Sequence, residues 1–180
     1  NQKIFFDGMF LKCSVKNTSG LANRLIIWKR DALELILSHK VLGKHNREIK
    51  NSISFLEIGA ASGIVSLFLS NYLKALNVKD YSVTAIEPSL KNCMHMREIA
   101  DINSLKINIL PVALGPGAGF VDFSDGPTKG YIGKGIHANV NPSTAPQIDL
   151  NTLKKFVDPT HIYIDAFMNE AGILAIILPS

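Results

Sequence analysis

Phe55-Leu56-Glu57-Ile58-Gly59-Ala60-Ala61-Ser62-Gly63 decides how this chain is read. The apolar run Ile53 to Ile58 has the length and composition of a buried strand. A small-residue turn follows, and then Ile64, Val65, Phe68, Leu69, Tyr72, Leu73 and Leu76 recur at helical spacing. Strand, small turn and helix start together form an element that suits an adenine nucleoside. Glycines permit close approach, and a helix start offers unpaired N–H groups. Glu87 closes the next apolar run, Val83-Thr84-Ala85-Ile86, 24 residues beyond Gly63. A carboxylate at that strand end can accept hydrogen bonds from both hydroxyls of a ribose.

Outward from this stretch the alternation continues. The second strand is expected over Ser82–Ile86. Its helix runs from Ser89, a plausible N-cap preceded by Pro88, to about Ile99. A third strand is expected over Lys106–Leu114, a short antiparallel strand over Phe120–Phe123, a helix over Leu150–Phe156, a fourth apolar strand over His161–Ile164 and a helix over Asn169–Leu178. The glycines and prolines from Asp125 to Pro146 predict a long functional or disordered loop. Upstream, residues 1 to 22 carry breakers and suit a strand pair or an arm. Asn23 to about His39 reads as a helix, and Gly43 to Ser52 as a connection. Alternating strands and helices predict a mostly parallel sheet with helices on both faces. The division is an N-terminal extension with a helix over 1–51 and one α/β ligand-binding domain over 52–180.

Composition bounds the function. Of 180 residues, 47% are hydrophobic and 19% charged, which suits a packed domain. The longest apolar candidate, Ile64 to Leu76, is interrupted by Ser66, Ser70, Asn71 and Lys74, so no membrane span is expected. No signal peptide is visible at Asn1-Gln2-Lys3-Ile4, which leads to the expectation of a cytoplasmic protein. The start without Met suggests a processed or trimmed product. Cys13 and Cys93 lack metal spacing and read as reduced structural thiols. The net charge of +4 comes mostly from Lys and Arg in the first fifty residues. They read as a solvated basic face, and a nucleic-acid partner is not expected.

In such sheets ligands bind beyond the carboxyl ends of the strands, where strand order reverses. Glu57, Gly59, Glu87 and Asp165 all lie at or just after strand ends. A dinucleotide fingerprint requires G-x-G-x-x-G, and Ala61 holds the middle position here. Glu57 would repel a pyrophosphate but attract an ammonium. S-adenosylmethionine carries an ammonium and a sulfonium and no phosphate.

Leu56-Glu57-Ile58-Gly59-Ala60-Ala61-Ser62-Gly63, Ala85-Ile86-Glu87-Pro88-Ser89 and Ile162-Tyr163-Ile164-Asp165 resemble the motifs of S-adenosylmethionine-dependent methyltransferases, most closely the FkbM family. The resemblance spans roughly Ser52 to Leu178. It implies a Rossmann-like methyltransferase fold, S-adenosyl-L-methionine as cofactor and a small-molecule acceptor, such as a sugar or lipid-linked hydroxyl. By matching position, Glu57, Gly59, Ala60, Ala61 and Gly63 would line the methionine moiety. Glu87 would hold the ribose, Pro88 and Ser89 would flank the adenosine, and Val112 and Ala113 would lie near the adenine. The chain departs from the family pattern at Ala61 (Asn in the family), Phe167 (Glu), Met168 (Gly) and Asn151 (Asp). It also stops before the later strands of a typical methyltransferase sheet.

Methyl transfer to a hydroxyl needs alignment, desolvation and a base. Asp165 is the first candidate for that base or for an acid that orients the substrate, and Glu170 could share the role. The plainer readings are a strand-end structural carboxylate and a helix first-turn acid. Asp165, Asn169 and Glu170 lack an adjacent acidic pair, so no metal site is expected. His137 lies in the glycine-rich segment and could face a substrate; Tyr131 and Lys134 could gate the pocket from that segment or serve as ordinary loop residues. His39, His45, His95 and His161 read as solvated or packed; of Met94 and Met96, one reads as core and the other as touching the adenosine or exposed. Two other readings are open: a degenerate methyltransferase fold that binds without turnover, and an NAD-type dinucleotide-binding domain.

Overall fold

The structure is a computed structural model that describes residues 2–6, 9–13, 52–125, 130–132, 141–166 and 170–178. The expected helix from Asn23 to His39 lies outside the described residues, as do Lys134, His137, Phe167 and Met168. The described chain is α/β, with a mostly parallel sheet and helices on both faces.

Gln2–Phe6 (β1) and Met9–Cys13 (β2) pair antiparallel with Phe6 opposite Met9. The central sheet is built from Ile53–Ile58 (β3), Tyr81–Ile86 (β4), Asn108–Leu110 (β5) and, far along the chain, His161–Ile164 (β10). Its order is β10-β3-β4-β5 and every pairing is parallel. From β3 the chain steps outward to β4 and β5, and β10 then joins the opposite side of β3. Strand order therefore reverses between β3 and β10.

Side chains alternate across this sheet. Ile53, Phe55, Val83 and Ala85 face one core, which the helices Ile64–Ala75 (α1) and Leu90–Ile102 (α2) cover with Leu67, Phe68, Met96 and Ile99. Leu56, Ile58 and Ile86 face the other. That side is closed by Leu153 of the short helix Leu150–Leu153 (α3) and Ile173 of Glu170–Ile177 (α4). Ser89 caps α2 by accepting the Asn92 N–H, and Asp149 caps α3 by accepting the Thr152 N–H.

Two expectations are corrected. The strand expected over Lys106–Leu114 is split. Pro111 has no N–H to give a ladder, and Val112 N–H turns back onto Leu110 O at 2.9 Å. The chain then enters a second sheet as Ala113–Leu114 (β6). The loop expected from Asp125 to Pro146 contains strands of that sheet. Gly119–Asp125 (β7) pairs antiparallel with Gly130–Ile132 (β8) and with Asn141–Ile148 (β9), in the order β6-β9-β7-β8. Pro142 and Pro146 have the same parity in β9, so both missing donors fall on one side of the strand. β6 meets β9 only at Gln147 and Ile148, and the ladder to β7 survives the prolines. The antiparallel strand expected at Phe120–Phe123 is present within β7.

Candidate functional site at the strand ends

Ile58 stands level with Ile164 on one side and Ile86 on the other, and Ile86 is level with Leu110. The residues that follow, Gly59, Glu87, Pro111 and Asp165, therefore form one rim at the carboxyl ends of four parallel strands. Backbone bonds tie that rim together. Gly59 and Ala60 both donate to Ile86 O, Glu87 donates to Leu110 O and Asp165 to Ile58 O.

The turn from Gly59 to Gly63 is wound with positive φ at three positions: 80° at Gly59, 51° at Ala61 and 67° at Gly63. Alanine in this region costs about 1–2 kcal/mol relative to right-handed backbone. The Glu87 carboxylate holds Ala61 there. Its Oε2 accepts the Ala61 N–H at 2.7 Å, while Oε1 accepts the Ser89 N–H at 2.9 Å and lies 3.4 Å from Asn92 Nδ2. Glu87 is buried. One carboxylate thus bridges the turn after β3 to the start of α2.

Glu57 has a different setting from a pocket-lining acid. Its alternation with Ile53 and Phe55 turns it toward α1, and it is fully buried. Oε2 accepts the Ser66 N–H at 3.0 Å and the Ser66 hydroxyl at 2.6 Å. Gly63, at the N-cap, has no side chain to serve α1, so Glu57 supplies the acceptor from the neighbouring strand. Its negative charge at that end of α1 also opposes the helix dipole.

Both glycines are required by the chain's own packing. A Cβ on Gly59 would stand 2.5 Å from Asp165 O and 2.8 Å from Ala166 Cα. A Cβ on Gly63 would collide with the Met96 thioether of α2. Ala60 is completely buried, and Ala61 is half-buried.

The remaining expected residues fall around this turn. Ser89 is buried as the α2 cap and Pro88 is half-buried beside it. Val112 packs against the second core, and Ala113 is buried in β6. Asp165 is half-buried, with Oδ2 3.5 Å from the Tyr163 hydroxyl. Glu170 opens α4. Tyr131 lies in β8. Among the described residues, no three His, Cys, Asp or Glu side chains gather as a metal-binding group, and no helix is long and apolar enough to cross a membrane.

Two contributors were not singled out from sequence: Ser66 completes the Glu57 contact and Asn92 supports Glu87. Of Met94 and Met96, Met96 is the packed one and fills the space beside Gly63. The signal for Ser66 was its place three residues after Gly63, where a helix presents an N–H in need of an acceptor. Asn92 becomes visible only once α2 is docked.

The chemistry of the rim follows from its donors and acceptors. The N–H groups of Gly59, Ala60, Ala61 and Gly63 all bond within the chain, and the Glu87 carboxylate lies against the turn. Such a turn is poor for phosphate, which needs free N–H donors and positive potential. It suits hydroxyls and cations. Comparison with protein-family models and with characterised proteins finds no match to this chain. Fold and rim define the class: an α/β domain whose mostly parallel sheet carries an acid-bearing turn at its topological switch point.

Proposed function

We propose that this chain binds S-adenosylmethionine and transfers its methyl group to a hydroxyl of a small molecule, in the manner of the FkbM-type methyltransferases that its motifs resemble. The observation that carries the reading is the contact between Glu87 Oε2 and Ala61 N at 2.7 Å, which joins the strand-end acid to the small-residue turn where strand order reverses. The donor set supports a phosphate-free cation over a dinucleotide, because the turn's N–H groups at 59, 60, 61 and 63 are already engaged.

On this reading Glu87 meets the ribose hydroxyls, with Pro88 and Ser89 flanking the adenosine. Gly59, Ala60, Ala61 and Gly63 form the wall beside the methionine portion, and Glu57 acts from behind it by fixing α1. Val112 and Ala113 border the adenine. The bound cofactor supplies an electrophilic methyl on a sulfonium. The protein then has to align the acceptor, exclude water and take the hydroxyl proton. Asp165 is the group for that proton, held on the rim by its backbone bond to Ile58 and accompanied by the Tyr163 hydroxyl. Glu170 follows on α4 as a second acid for orienting the acceptor.

Calorimetric titration tests the cofactor. Saturable binding of S-adenosylmethionine is expected, with none for NAD. The absence of saturable binding to S-adenosylmethionine removes the proposal. Assay of methyl transfer to a panel of sugar and other small hydroxyl acceptors tests turnover, and binding without transfer to any of them favours the degenerate, non-catalytic reading.

A further inference from the structure

The outward stripe of α2 changes character along its length. At the end far from the rim it is charged, with Arg97 and Asp101 exposed. At the end beside the rim it is apolar: Leu90 is 63% exposed and Met94 is 66% exposed. The core takes Cys93, Met96, Ile99 and Ala100 from this helix and leaves that pair outside. Four residues apart, Leu90 and Met94 share one helix face, about 6 Å from each other along the axis. Side chains on a helix lean toward its N-terminus. α2 begins directly after its Ser89 cap, so both side chains lean toward the rim beyond β4.

The neighbouring part of the rim is apolar as well. Pro111 is exposed at the end of β5, the strand next to β4. Ala113, two residues on, is level with Gln147, and Gln147 is level with Gly119. Two strand spacings, about 10 Å, thus separate Ala113 from Gly119. Phe120 follows, 79% exposed. Single apolar side chains on a surface need no explanation, but a pair on one helix face beside a ligand site makes a patch. A free sugar would set its hydroxyls against hydrocarbon there, without donors or acceptors to meet them. A hydrocarbon chain would shed water against the same surface.

We infer that Leu90 and Met94 hold a hydrocarbon arm of the acceptor, so that the substrate is an amphiphile with its hydroxyl at the rim and its chain along the outer face of α2. The inference rests on the methyl-transfer reading given above, and it selects a lipid-linked hydroxyl over a free sugar as the acceptor class.

The test uses the intact chain with saturating S-adenosylhomocysteine, which fills the nucleoside site. Its comparison is the double variant Leu90→Gln/Met94→Gln, which keeps good helix formers at both exposed positions. The probes are 1-butanol, 1-hexanol and 1-octanol, each a single hydroxyl on a longer chain, and binding is followed by saturation-transfer NMR. Affinity for the parent rises about twofold to threefold with each added methylene. In the double variant that rise is lost, while affinity for S-adenosylhomocysteine equals that of the parent. A parent without chain-length dependence, a variant that keeps it, or a variant with weakened S-adenosylhomocysteine binding each overturn the acceptor-arm assignment and leave the nucleoside reading standing. A parent chain that does not bind S-adenosylhomocysteine overturns both.

Discussion

The carboxylate of Glu87 is bonded to the backbone of Ala61 across 2.7 Å, although the two residues lie on different βα units of the sheet. Glu87 is therefore part of the scaffold of the turn as well as a candidate ligand group. Glu87→Ala leaves the Ala61 and Ser89 N–H groups without their acceptor, and removes the support for a positive φ at a non-glycine residue. The expected loss is about 1–3 kcal/mol of stability, read from a urea titration. A fall of similar size is expected in S-adenosylmethionine affinity. An unchanged urea midpoint would contradict the bridging role.

Ser66→Ala removes a 2.6 Å hydrogen bond to a fully buried carboxylate. Bonds to charged groups contribute about 1.5–3 kcal/mol, and that is the expected destabilisation. A double-mutant cycle with Glu57→Gln should give a coupling energy of at least about 1 kcal/mol. Additive effects would mean that the two side chains act independently.

The two glycines differ in what opposes a side chain. Gly59→Ala drives a Cβ into the backbone of Asp165 and Ala166, which cannot rotate aside, and it also strains φ at 80°. A loss of about 2–4 kcal/mol is expected. Gly63→Ala meets the end of the flexible Met96 side chain, so its cost should be the smaller of the two. Equal thermal or urea midpoints for the pair would refute this distinction.

Cys93 is buried, and its thiol donates to Glu87 O at 3.2 Å. Burial, aided by the nearby Glu87 charge, raises its pKa from 9.0 to about 12. Between these values the unfolded thiol gives up a proton that the folded thiol keeps. The thiol's stabilising contribution is thus complete below pH 9 and is lost as pH rises toward 12. The slope is at most about 1.4 kcal/mol per pH unit. Cys93→Ala should flatten the alkaline limb of the stability profile relative to the parent. In a Cys13→Ser background, the native chain should also resist a thiol reagent at pH 8 that reacts readily after unfolding.

Much of the central layer was legible locally. The apolar run Ile53–Ile58 is β3 to the residue, His161–Ile164 is β10, and Ser89 caps α2 as its residue type implies. These elements carry their signals within a few neighbours, as apolar runs, helical spacing or a capping side chain. The segment from Asp125 to Pro146 was not legible in the same way. Its glycines and prolines have loop character, and its strand state depends on pairing between β7 and β9 at large sequence separation.

The same division runs through the candidate site. The sequence alone determined that Glu57, Gly59, Glu87 and Asp165 would end or follow strands, because alternation and small-residue breaks are local properties. Only the tertiary structure decided that Glu57 turns onto Ser66, that Glu87 grips Ala61 and that Asp165 occupies the space beside Gly59. A carboxylate's partner depends on which backbone donors the folded sheet brings within 3 Å, and that distance is set by strand order and helix docking rather than by spacing along the chain.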